Sequence, residues 1–217
     1  MIGIAIFLLV ALGIASLYFY MRAQKRETSV LVLLQQHRYA EAVSEADRAL
    51  SSGTGDDATR LHRAEALKLI GNFAEAERGF REIVKRTADD AAAIESLALT
   101  LAHQRVDCEE ARSLMNRAIT SYPQIQEFQA ISLAYVELRC GKDEEALRIF
   151  EDNRLLVATR FQDDYTDPDP LLAETLYIYA SLLRRAGENE EAQKCFAAVA
   201  NWAPGSIFAE WVTKGPA

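Results

Sequence analysis

Apolar residues recur every three or four positions along most of this chain, and the recurrence breaks at a short turn that keeps returning. The turn reads HRYAEA at 37–42, GNFAEA at 71–76, GKDEEA at 141–146 and GENEEA at 187–192, with a looser copy, DCEEA, at 107–111. Each copy pairs a turn with the opening of an amphipathic helix and closes on an alanine. No stretch sustains period-two alternation of β-branched residues, so the pattern predicts an all-α chain without a sheet.

The spacing organises these helices into units. The closing alanines Ala42, Ala76, Ala111 and Ala146 follow one another at 34, 35 and 35 residues, and Ala192 lies 46 residues after Ala146. The last gap reads as one period plus an insertion. The predicted units are 23–56, 57–90, 91–125, 127–160 and 173–206, with an insertion loop over 161–172. A period of 34 with two helices per unit resembles the tetratricopeptide (TPR) repeat. That resemblance implies an α-solenoid of about five helix-turn-helix units. In it the small residues at position 8 (Val30, Ala64, Ala98, Ala134, Ala180) face the alanines at position 20 where helices A and B cross. Position 24 supplies a larger plug, Phe80, Met115, Phe150 and Phe196, with Ala46 in the first unit. The pattern departs at His37 and Arg105, which stand where a turn glycine is expected.

Residues 1–21 carry no charged side chain and as a helix would span roughly 30 Å, the thickness of a bilayer core. Tyr18 and Tyr20 near one end, then Arg22, Lys25 and Arg26, complete the signature of a transmembrane anchor. A cleaved signal peptide competes, but no basic segment precedes the apolar run. The cations lie after the span, so the positive-inside tendency leaves residues 22–217 on the cytoplasmic face, with the N-terminus out. Cys108, Cys140 and Cys195 are odd in number and far apart in sequence, which suits a reducing compartment and predicts three packed thiols.

Within the insertion, QDDYTDPDP (162–170) predicts a loop. Its Asp163, Asp164, Asp167 and Asp169 lack the spacing of a calcium loop. The segment 206–214 predicts a short capping helix, with Ile207, Phe208 and Trp211 covering the open face of the last repeat. Net charge is −8, which argues against a nucleic-acid partner. His37, His62 and His103 are isolated in sequence, and there is no nucleophile elbow, phosphate loop or paired metal motif. No cofactor, metal, small-molecule substrate or enzymatic activity is expected.

The resemblance to the TPR family implies a partner-binding groove lined by the A helices. Its candidate residues are Leu61, Glu65 and Lys68 of unit 2, with Leu99 of unit 3. Unit 4 adds Ile131, Tyr135 and Leu138, and unit 5 adds Tyr177, Ser181 and Arg184. The Lys/Asn clamp that chaperone-binding members use for a terminal carboxylate is replaced by Glu27, Leu31, Leu61, Glu95 and Leu99. The expectation is a membrane-anchored adaptor or scaffold that recruits a protein partner, a peptide or helix of a membrane-complex subunit. The layout resembles bacterial inner-membrane adaptors of lipopolysaccharide assembly. A receptor for targeting or unfolded segments, and a permanent structural subunit of a membrane complex, are the alternatives.

Overall fold

In a computed structural model, the protein is described over residues 29–121, 126–161 and 170–215. Every regular element among these residues is helical. Helix α1 covers 29–35. It is followed by α2 (Tyr39–Ser51), α3 (Asp57–Leu69), α4 (Phe73–Arg86), α5 (Ala91–Gln104) and α6 (Cys108–Ser121). Then come α7 (Gln126–Arg139), α8 (Asp143–Phe161), α9 (Ala173–Ala186), α10 (Asn189–Trp202) and α11 (Ile207–Lys214). From α2 onward consecutive helices pack as neighbours, and the A helices α3, α5, α7 and α9 also touch in sequence, forming the inner layer of a solenoid.

Local chemistry sets the helix ends. The Asp56 carboxylate accepts from the Thr59 backbone N–H at 2.8 Å, and Thr59 Oγ1 returns a contact to the Asp56 N–H, closing a capping box on α3. Asp90 and Ser206 cap α5 and α11 in the simpler way, accepting from Ala93 and Ala209. The turns between helices A and B need one residue in the left-handed region. Gly71, Gly141 and Gly187 fill it at φ of 78°, 76° and 91°. His37 and Arg105 occupy the corresponding places at φ of 61° and 56°. Arg105 therefore holds a conformation that disfavours a residue with a Cβ.

The small residues pack where the two helices of each unit cross. Val30, Ala42, Ala64, Ala76, Ala98 and Ala111 are all fully buried. Crowding there is real, since a Cβ added at Gly79 would come within 3.1 Å of the Ala64 Cβ. Phe80, Met115 and Phe150 are buried as the larger plugs.

Three expectations meet a correction or a limit. Cys108 and Cys140 are joined as a disulfide with their Cα atoms 5.8 Å apart; Cys195 is buried and stands outside that bond. Thirty-two residues separate the pair, close to one repeat period, and stacking brings the start of α6 beside the end of α7. Distance along a solenoid chain is thus no measure of distance in space. Arg112 of α6 and Glu137 of α7 reinforce the same joint with a forked ion pair, one arm at 2.8 Å. His62 is half-buried, and its Nδ1 has no hydrogen-bond partner among the described residues. The predicted anchor at 1–21 and the acidic cluster at 163–169 lie outside the described residues. Among the described residues no helix is long and apolar enough to cross a membrane.

Candidate functional site

The inner face is built from side chains that successive A helices project toward the solenoid axis. Lys68 of α3 and Glu174 of α9, 106 residues apart, form a buried ion pair there. Lys68 also contacts Glu65 at 2.8 Å. The second oxygen of Glu174 meets His103 Nε2 of α5 at 2.7 Å, and His103 Nδ1 meets the Tyr135 hydroxyl of α7 at 3.2 Å. Units 2, 3, 4 and 5 are thereby linked through one polar chain. Two shorter rungs parallel it, Ser96 donating to Glu65 at 2.7 Å and Ser132 donating to Glu95 at 2.6 Å.

Burial and charge pull against each other in this chain. Burial alone would push the Glu174 carboxyl up, but the Lys68 ammonium and the His103 bond overcome it and hold the group well below the usual carboxylate range. Burial pushes the His103 imidazole below its ordinary value, opposed by Glu174, so the ring is neutral near pH 7. Glu95, which accepts from Ser132, is pushed up by desolvation.

Helix α11 folds back over this inner face. Phe208 is fully buried and Trp211 is 7% exposed. Trp211 stacks on Phe73 at the start of α4 with ring centroids 5.5 Å apart. Both Trp211 and Phe208 approach His103 and Tyr177, at centroid separations between 5.2 and 5.7 Å. Ile207 lies over Gly71, where an added Cβ would come within 3.2 Å of it. The helix therefore covers more than the open face of the last repeat; it reaches back to units 2 and 3.

This closure decides where the sequence-predicted groove residues stand. Lys68, Leu99, Ile131, Tyr135, Tyr177 and Ser181 are buried within the chain. Leu61, Glu65 and Leu138 are half-buried, and Arg184 is exposed. The structure gathers Tyr135 and Leu138 of unit 4 with Tyr177, Ser181 and Arg184 of unit 5 around a cleft of about 410 Å³ between the C-terminal ends of α5, α7 and α9. Tyr135, Leu138 and Tyr177 line this cleft together with Arg105, Arg139, Arg184 and Arg185. The unit 2 members, Leu99 and Ile131 do not line it. Arg139 and Arg185 hold position 13 of units 4 and 5, next to the candidates Leu138 and Arg184 at position 12, so the repeat register could have found them. Arg105 lies outside the groove positions, and its mark in the sequence is that it stands where a turn glycine is expected. Among the described residues no cluster of three or more metal-ligating side chains occurs.

Comparison with known proteins agrees with this architecture. Residues 33–99 match the tetratricopeptide repeat family model. No curated protein matches the chain. Among solved structures, a thermophilic TPR protein of Thermus thermophilus is similar at TM-score 0.59 and 19% identity, covering 89% of this chain and 98% of its own. The pilF protein of Pseudomonas aeruginosa aligns at TM-score 0.55 and 18% identity over 85% of this chain and 78% of its own. TPR-like repeats of a Podospora anserina kinesin light chain align at 0.54 and 18% over 83% and 94%. At these identities the likeness is one of fold.

Proposed function

We propose that this tetratricopeptide-type solenoid is a non-enzymatic adaptor, tethered to a membrane by residues 1–21, that recruits a protein partner through its inner face. One observation carries the reading. A-helix side chains of units 4 and 5, with the end of α5 from unit 3, converge on one open cleft, while α11 covers Phe73 and His103 elsewhere on the inner face. A receptor for many unfolded segments would need a broad apolar groove, and α11 occupies that space. A narrow cleft suits one partner. Tethering raises the partner's effective concentration, so modest contacts suffice.

The experiment is affinity purification of the full chain from solubilised membranes beside a version beginning at Arg22. An adaptor keeps the same partner in both. Loss of every partner from the shorter version makes the apolar segment the recognition element and the chain a structural subunit.

The disulfide favours a second reading of orientation. Arg22, Lys25 and Arg26 argue for a cytoplasmic solenoid. A Cys108–Cys140 bond argues for an oxidising compartment across the membrane. A C-terminal alkaline phosphatase fusion, active only where it is exported, separates the two.

A further inference from the structure

We propose that the cleft between α5, α7 and α9 binds a carboxylate-bearing peptide segment of the partner protein, held by Arg105 and Arg184. The proposal deepens the adaptor reading and rests on it.

Two of the four arginines already have structural work. Arg139 donates to the carbonyls of Ala102 and His103, 3.4 and 3.0 Å away, and so finishes the end of α5. Arg185 is paired with Asp143. Arg105 and Arg184 have no carboxylate partner among the described residues, in a chain where 32 acids outnumber 24 basic residues. Arg184 sits over the Phe196 ring at 5.1 Å, which steadies the guanidinium and leaves its N–H edge available.

Arg105 carries an independent sign. It holds φ 56° and ψ 34° at the turn where three other units use glycine. A residue with a Cβ is strained in this conformation, and such strain collects at binding sites. The disulfide fixes this strained turn, since Cys108 lies three residues after Arg105 and its partner Cys140 follows Arg139.

The chemistry of the cleft selects the ligand class. Guanidinium forks match carboxylates in bidentate geometry. The floor of Tyr135, Leu138 and Tyr177 suits an apolar neighbour of the bound acid. A polyanion is disfavoured, because Asp143 is shared with a neighbouring hollow where Glu144 and Glu145 stand beside Lys142 and Arg148, and Arg148 is already paired with Glu145 and Asp152. An extended phosphate backbone would run onto those carboxylates.

The test uses the full oxidised chain in detergent and a fluorescein-labelled, amidated peptide alternating glutamate and leucine. Its counterpart carries glutamine for glutamate, and a third probe is the glutamine peptide with a free C-terminus. Anisotropy is measured for the wild type and for Arg105→Gly/Arg184→Gln, in which glycine relieves the strained turn. The glutamate peptide, the free-terminus peptide or both should bind better than the amidated glutamine peptide. Which of them binds tells side-chain from terminal carboxylates. The variant should lose about tenfold or more of that affinity while its urea midpoint holds or rises. Equal binding of all three peptides, an unchanged affinity in the variant, or tighter binding of a single-stranded oligonucleotide overturns the proposal. The same variant used in the membrane purification separates the two levels. If it keeps the wild-type partner, the arginine cleft fails and the adaptor reading stands.

Discussion

Arg105 and Lys68 show how differently a cation can be held in one solenoid. Arg105 stands exposed in a conformation made for glycine. Replacing it with glycine should stabilise the chain by about 1 kcal/mol in urea denaturation; a loss of stability would show that the side chain supports the turn. Lys68 is buried with Glu174. Lys68→Met should cost about 3–5 kcal/mol, because it strands a carboxylate in the interior. Adding Glu174→Leu should recover most of that loss, and no recovery would mean that the pair is worth more than its packing. His103 gives these residues a pH dependence. Its folded pKa lies below the ordinary 6.5, so on acidification below that value the unfolded chain takes up a proton that the folded ring refuses. Stability should therefore fall from pH 7 to pH 5.5 in urea titrations, and His103→Gln should flatten the slope. Glu174 adds to the fall below about pH 4.5, where its unfolded form protonates first. Glu95, shifted upward, works in the opposite sense above that value.

At the scale of elements, two devices interrupt the simple stacking of repeats. The Cys108–Cys140 bond closes a loop of 32 residues between the third and fourth units, worth about 3–4 kcal/mol in the chain-entropy model. Reduction should lower the urea midpoint accordingly. Thiol titration of the unfolded chain should find one reactive group before reduction and three after it. The second device is α11, an eight-residue helix with two aromatic anchors. Trp211→Ala should cost about 3–5 kcal/mol in urea denaturation. Cleaving the chain after Gly205 should expose Phe73, His103 and Tyr177 and raise binding of an apolar dye. An unchanged dye signal would place α11 outside the inner face. The helix was legible in the sequence, from Ser206 at its start and the apolar positions 207, 208 and 211. Its destination was not, because a cap on the last repeat and a plug across the inner face need the same amphipathic pattern.

The whole molecule divides along the same line. The repeat, its register and the crossing alanines could be read from residue spacing, since each depends on contacts within one unit or with the next. What could not be read depends on how far the solenoid winds. The Lys68–Glu174 pair, the junction of Cys108 with Cys140 and the arginines meeting from three helix ends are all set by superhelical geometry. Single-unit periodicity carries no record of it. The groove positions follow from register, and their burial follows from that winding together with α11. A further consequence concerns synthesis. An open repeat array can finish each unit as it leaves the ribosome. Here Phe73 and His103 receive their aromatic cover only when Trp211, more than a hundred residues later, has emerged. A stalled ribosome or a late stop codon would thus release a chain whose repeats are complete but whose interior is bare, a ready signal for chaperones and proteases.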